Sequence, residues 1–365
     1  MKKIFCSASK VLICLFCCAL FPCLQGQQPF LLLHSKEKTG ILSARGDMLQ
    51  MIASETDYLQ AAAEKGRIVY RPEANSPWRI IELSWNKTGL ELTPGNVPAE
   101  LTPSGVFPAF SPDGGKLFWC VYGNGMTELF LWDYAENKII LTRKIKGYAY
   151  LPSWSPDSRK IAFYLKEKSE MITQDDYGLA VFDMERNRIR TFPVSLRTRM
   201  SHQRDWKPLW SPNSKFVFYE GRYQESVRKF EILLDTDTGK LYPCDVGLWL
   251  NNAELLYLFP GPAPYNSLVV SVCPVESIMK GEQNSTRPIG KINADFLNAC
   301  VFDHHAKVLY YQKTNRSVAA YSLEDKEERI LLKKFDFNVR DMTLLQVRSD
   351  DPFTGIRKAK IVSAK

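Results

Sequence analysis

The chain has 365 residues, 45% of them hydrophobic and 12% aromatic, with 21 prolines and 20 glycines. That is enough apolar material for one large repeat domain or two average domains, and the turn-forming residues favour an all-β chain over a helical one. The formal net charge of +8 is diffuse. No Lys/Arg block with interleaved aromatics stands out, which argues against nucleic acid as a partner.

Lys2, Lys3 and Lys10 make a basic start, and 11–21 is an apolar run too short to span a bilayer comfortably. Leu24-Gln25-Gly26 offers a cleavage site. The pattern predicts a signal peptide over 1–26 and an exported protein, periplasmic or extracellular. Two alternatives stand beside it: an uncleaved anchor, and a lipoprotein acylated at Cys23, for which Pro22 is a poor preceding residue. Removing 1–26 takes away three lysines and no acid, so the net charge falls from +8 to +5. No second apolar stretch is long enough to span a membrane. Cys120, Cys244, Cys273 and Cys300 remain, none in a Cys-x-x-Cys pair, so a zinc site is not expected. In an exported chain they could form two disulfides, or equally stay as four buried thiols in strands.

Three copies of one phrase follow in order. Ala109-Phe110-Ser111-Pro112-Asp113-Gly114-Gly115-Lys116-Leu117-Phe118 is the first, Ser153-Trp154-Ser155-Pro156-Asp157-Ser158-Arg159-Lys160-Ile161-Ala162-Phe163 the second, and Leu209-Trp210-Ser211-Pro212-Asn213-Ser214-Lys215-Phe216-Val217-Phe218 the third. Each reads as strand, tight turn, half-buried strand. Pro fixes a turn φ, and the Asp, Asn and Ser side chains can bond their own backbone. Ser111, Asp113, Ser155, Asp157, Ser211 and Asn213 are therefore structural turn residues.

A second signal lies downstream of each phrase: an acid, then Asn or Gly four residues on, a basic residue and an aliphatic one. It reads Asp133…Asn137-Lys138-Ile139, Asp183…Asn187-Arg188-Ile189 and Asp235…Gly239-Lys240-Leu241, with weaker copies at 36–41, 85–89 and 324–330. Asn or Gly supplies the left-handed residue of a hairpin. The starts at 36, 85, 133, 183, 235 and 324 step by 49, 48, 50, 52 and 89. The last step is nearly two units, so a hairpin is hidden near 275–285. A pitch of about 48 with four strands per unit predicts a β-propeller.

The blades are expected at about 59–97, 106–143, 150–193, 206–243, 246–292 and 297–333. A seventh is shared between the termini, with strands A and B from 341–362 and C and D from 30–44. Such closure leaves no open sheet edge. Six blades with decorated ends is the alternative. Within 27–365 a single propeller domain is expected.

The Trp/Phe-Ser-Pro-Asp-Gly/Ser-x-Lys-Ile-x-Phe phrase resembles the WD40-like (PD40) repeats of the TolB-type propeller family, over most of 59–333. The resemblance implies a propeller, often exported, and no single activity. Relatives of this kind include periplasmic protein-binding subunits, propeller domains of prolyl-oligopeptidase-type peptidases and oligogalacturonate lyases. This chain departs from each. Neither the α/β domain of TolB itself before residue 59 nor a hydrolase domain after the propeller is expected.

Catalytic chemistry is not signalled. There is no Gly-x-Ser-x-Gly elbow. The four histidines are His34, His202, His304 and His305, and the adjacent pair reads as polar turn residues rather than metal ligands. Asp113, Asp133, Asp157, Asp183 and Asp235 recur at repeat positions and serve turns. Neither a cofactor nor a metal is expected.

The phase of the repeat separates two rims. A–B turns and C–D hairpins form one, here the hairpin rim. B–C and D–A connections form the other, here the connection rim, which carries the irregular segments where function usually sits. Its largest insertions are 165–177, taken as a solvated loop, and 194–207. Arg197, Arg199, His202, Arg204 and Trp206, with Arg222 and Tyr223 on the next B–C connection, have an interface-type composition. These considerations predict a non-catalytic protein-binding or assembly module of the cell envelope, engaging an envelope protein or an anionic glycan. The alternative is a polyuronate lyase on a propeller scaffold.

Overall fold

The computed structural model describes residues 27–348 apart from 36–37, 47, 54–55, 74, 87–88, 103–105, 167–174, 199–206, 222–229, 245–246, 264–265, 283–284, 295–296, 336–338 and 340. They form seven sheets, each of four antiparallel strands. The first three strands are β1 (Gln27–His34), β2 (Thr39–Ser43) and β3 (Leu49–Ala53). Blade 1 is β4 (Tyr58–Ala62), β5 (Arg67–Arg71), β6 (Arg79–Asn86) and β7 (Gly89–Pro94). Blade 2 is β8 (Val106–Phe110), β9 (Lys116–Gly123), β10 (Met126–Asp133) and β11 (Lys138–Lys146). Blade 3 is β12 (Tyr148–Trp154), β13 (Lys160–Lys166), β14 (Asp175–Asp183) and β15 (Arg188–Thr198). Blade 4 is β16 (Leu209–Trp210), β17 (Phe216–Gly221), β18 (Phe230–Asp235) and β19 (Leu241–Cys244). Blade 5 is β20 (Leu248–Trp249), β21 (Glu254–Pro260), β22 (Leu268–Pro274) and β23 (Arg287–Ile292). Blade 6 is β24 (Leu297–Asp303), β25 (Val308–Lys313), β26 (Val318–Ser322) and β27 (Glu328–Leu332). Blade 7 closes the ring in the order β28-β1-β2-β3, with β28 (Asp341–Arg348) beside the A strands β24 and β4 of its neighbours.

The protein is thus a seven-bladed propeller whose last blade joins the two ends of the chain. The division within that blade differs from the expectation. The C-terminal side supplies strand A alone, β28, and β1 takes position B. The segment 358–362, expected as strand B, lies outside the described residues. The connection at 35–38, closed by Lys38 N–H to Ser35 Oγ at 3.1 Å, imitates a C–D hairpin and is a B–C turn. The C–D hairpin lies at 43–48, with Gly46 at φ +79° and Ser43 N–H bonded to Met48 O at 2.9 Å. The carbonyl of Leu331 stands 2.5 Å from where a Cβ on Gly46 would sit. Turn and close approach together demand glycine there.

The core lies in seven wedges, one between each successive pair of blades. In blade 3, Ile161, Phe163 and Leu165 face blade 2, while Ala162 and Tyr164 face blade 4. Strand B is therefore buried on both faces rather than half-buried, which explains its unbroken apolar run. Cys120, Cys244 and Cys273 are buried thiols and Cys300 a half-buried one, all within strands. Burial pushes the Cys120 thiol far above its ordinary value. The hairpin hidden near 275–285 is replaced by a one-turn helix, α1 (Val275–Met279), which buries Val275 and Ile278 against blade 4. No helix among the described residues is long and apolar enough to cross a membrane.

The phrase works as a turn and as a latch between blades. Ser155 Oγ donates to Asp157 Oδ1 at 2.6 Å and accepts from Lys160 N–H at 2.8 Å. Ser211 does the same with Asn213 at 2.7 Å and Phe216 N–H at 2.8 Å, and Ser111 with Asp113 and Lys116 N–H. The fourth residue is left-handed in all three: Gly114, Ser158 and Ser214. Ser214 Oγ then accepts the Asp157 N–H of the preceding blade at 3.2 Å. Trp154 Nε1 donates to Ala109 O at 2.8 Å and Trp210 Nε1 to Ser153 O at 2.9 Å. A buried indole N–H is thereby satisfied and each blade is tied to the one before it. Where the phrase is lost, other groups stand in. Asn251 Oδ1 accepts Ala253 N–H at 2.8 Å, and Asp303 Oδ1 accepts His305 N–H at 2.9 Å.

Candidate functional site

The turn carboxylates are bonded in place. Asp113, Asp157, Asp133, Asp183 and Asp235 each accept backbone N–H groups of their own turns. His304 also serves structure. Its Nδ1 lies 3.3 Å from Leu250 O, its ring sits edge-on to Phe302, and burial pushes it below the usual histidine value. It is neutral at pH 7 and ties blade 6 to blade 5.

The connection rim is built differently. Trp78, Tyr58, Phe107, Tyr150, Tyr148 and Tyr122 form one run of rings across blades 1 to 3, with centroid separations of 5.6, 5.8, 6.3, 5.7 and 5.1 Å in that order. Tyr164 stacks on Tyr150 at 5.2 Å. The rings come from the connection-rim ends of strands A and B and from the B–C connection before β6. Tyr58, Phe107, Tyr122 and Tyr148 are half-buried, so they keep accessible surface. Two cations cap the run: Arg71 Cζ lies 4.7 Å from the Trp78 ring centre and Lys207 Nζ 5.4 Å from that of Tyr58. Both are within reach of a cation–π attraction. Lys207 precedes blade 4 and Tyr58 opens blade 1, so the rings and cations gather around the propeller axis.

Backbone strain supports the run. Phe107 and Leu151 each stand four residues before a turn serine, at φ +53° and +49°. Each lies in a bulge of strand A, where the pairing register shifts between Val106 and Ala109 and between Tyr150 and Ser153. A bulky residue in the left-handed region is an outlier, and bulges of this kind re-aim side chains. Burial, ahead of nearby Cys120 and Tyr122, pushes the Tyr148 hydroxyl above its ordinary value. It stays protonated at neutral pH and can donate.

Of the residues expected on this rim, Arg197 lies on β15, its backbone opposite Asp176. Arg199, His202, Arg204, Trp206, Arg222 and Tyr223 lie outside the described residues, as does Cys23. The insertions 165–177 and 194–207 differ from the loops expected. Asp175, Asp176 and Tyr177 pair with Thr198, Arg197 and Leu196, so parts of both form one ladder that prolongs blade 3. Sequence reading missed the run of rings. Its one signal was the recurrence of aromatics ahead of the turn serines, at Phe107, Tyr148 and Tyr150.

Fold and rim define a class: a seven-bladed, four-stranded antiparallel propeller with an aromatic face at one end of its axis. Solved structures share the fold. The tricorn protease is similar with a TM-score of 0.52 and 11% identity over 88% of this chain, which spans only 35% of that one. The β-propeller domain of the Trilobed protease from Pyrococcus furiosus is similar with a TM-score of 0.51 and 12% identity, over 82% of this chain and 87% of its own. TolB from Acinetobacter baumannii follows with 0.40 and 14%, over 69% and 61%. No family model and no curated protein matches the chain.

Proposed function

We propose that this propeller is an exported, non-catalytic module that binds a protein of the cell envelope through its connection rim. The observation that carries the reading is the run of rings on blades 1 to 3 with Arg71 and Lys207 over their faces. Aromatic and Arg side chains are those that dominate binding energy at protein interfaces. The phase of the repeat in the sequence assigns 194–207 and 222–223, with Arg199, Arg204, Trp206 and Tyr223, to the same rim, and the proposed surface includes them.

The test is capture from an envelope extract on the immobilised full chain. A variant with Arg199, Arg204, Trp206 and Tyr223 all changed to Ala should lose the captured protein while its thermal unfolding stays unchanged. Undiminished capture overturns the assignment. Release of an ultraviolet-absorbing product from a polyuronate would replace it with the lyase reading.

A further inference from the structure

We propose that the cleft between blades 3 and 4 on the hairpin rim binds a small ligand bearing an oxyanion, a carboxylate or a phosphate. The cleft has a volume of about 420 Å³, which is small-molecule size. Lys160, Arg186, Arg188 and Arg190 line it together with Asp183 and Asp237. Four cations against two carboxylates leave a surplus of two positive charges in one concavity.

Two of the cations are held in place from blade 4. Arg190 Nη1 donates to Thr236 O at 2.7 Å and its guanidinium lies 5.0 Å from the centre of the Phe192 ring. Lys160 Nζ reaches Thr236 Oγ1 at 3.4 Å and Asp237 Oδ1 at 3.6 Å. Asp183 accepts Arg186 N–H at 3.0 Å and Arg186 Nη1 at 3.1 Å. Arg188 pairs in register with Asp183, is exposed, and makes no side-chain hydrogen bond or ion pair among the described residues. A guanidinium in such a position can take an oxyanion with two parallel N–H donors.

The repeat itself does not demand this surplus. The matching row of blade 2 is Lys116, Asp133 and Lys138. There Glu136 stands where blade 3 has Arg186, and it pairs with Lys138. Ile140 stands where blade 3 has Arg190. The blade 2 row is balanced and the blade 3 row is not.

The test is thermal unfolding and calorimetry of the full chain with inorganic phosphate, with succinate, and with sodium chloride at matched ionic strength. Phosphate or succinate should raise the midpoint above the chloride control, and the more effective anion identifies the ligand class. Arg188→Gln should weaken that binding about tenfold or more, as loss of a charge-assisted hydrogen bond implies. Lys138→Gln, at the matching position of blade 2, should leave it unchanged and serves as the folding control. An anion effect no larger than chloride, or one retained in Arg188→Gln, overturns the proposal. This cleft and the aromatic run lie on opposite rims, so the two readings fail independently.

Discussion

Tyr150 and Ser155 stand five residues apart on one strand and its turn, yet their surroundings differ in kind. Ser155 is fully buried and bonded to Asp157 and Lys160 of its own turn. Tyr150 touches rings from three places: Phe107 of blade 2, and Tyr148 and Tyr164 of blade 3. The hairpin rim repeats because its turns are short and built alike, with polar side chains satisfying backbone groups that would otherwise be orphaned. The connection rim reverses the chain too, through B–C and D–A connections of varied length and sequence. Its side chains answer to one another across blades, so a specific surface can arise there without disturbing the turns. Substitutions of the buried turn residues on the first rim should therefore act on stability, and those of the rings on the second on partner capture.

The largest effect is expected at Trp154, the latch between blades 2 and 3. It is 7% exposed, and its Nε1 donates to Ala109 O. Trp154→Ala removes a large buried side chain and should cost about 3–5 kcal/mol. Trp154→Phe keeps most of the volume and leaves a carbonyl unsatisfied, for about 1–3 kcal/mol. Urea denaturation reads both. Partner capture by whatever remains folded should be unaltered; a folded Trp154→Phe protein that no longer captures would break the division between rims.

Phe107 probes the other rim with a smaller effect on stability. In an ordinary strand Gly is worse than Ala by about 0.5–1 kcal/mol. At φ +53° the order should invert, because a left-handed residue with a Cβ costs about 1–2 kcal/mol. Phe107→Gly should thus be more stable than Phe107→Ala, and both should weaken capture. Denaturation midpoints in which Ala exceeds Gly would show that no strain is stored at Phe107.

Much of this was legible in the chain beforehand. The pitch of 48 survives as seven blades because turn chemistry is local and repeated. Ser155, Asp157 and their copies do what their order suggests. Blade 7 was misphased because Ser35 to Gly40 carries hairpin chemistry at a B–C turn, while the C–D hairpin at Gly46 lacks a leading acid. The hairpin after β22 was invisible because α1 replaces it, fixed by burial of Val275 and Ile278 against blade 4. The aromatic run was hidden for a different reason. Tyr58, Phe107 and Tyr150 are each a plausible core residue of a strand, and only the packing of successive blades brings their rings into contact. The charge surplus at Arg186 and Arg190 likewise emerges only when the rows of two blades are set side by side.

The smallest expected effect compares two copies within the hairpin rim. Burial works to raise the Asp113 carboxyl, but the Ser111 hydroxyl, Gly115 N–H and Lys116 outweigh it and hold the group below its ordinary value. A carboxyl lowered in the folded state binds its proton less readily than in the unfolded chain. Its stabilisation is therefore full above the unfolded value, about 3.9, and is lost as pH falls through the lower folded value. Blade 4 has Asn213 at this position, and Ser211 still donates to it at 2.7 Å. Asp113→Asn should then keep the turn and lose only the charge-dependent part. Asp113 is partly exposed, so screening holds that part below about 1 kcal/mol at pH 7. Wild type and variant should converge in urea midpoint as pH is lowered below the ordinary carboxylate range. A difference that grows toward acid would mean that Asp113 acts through something other than the ionised turn.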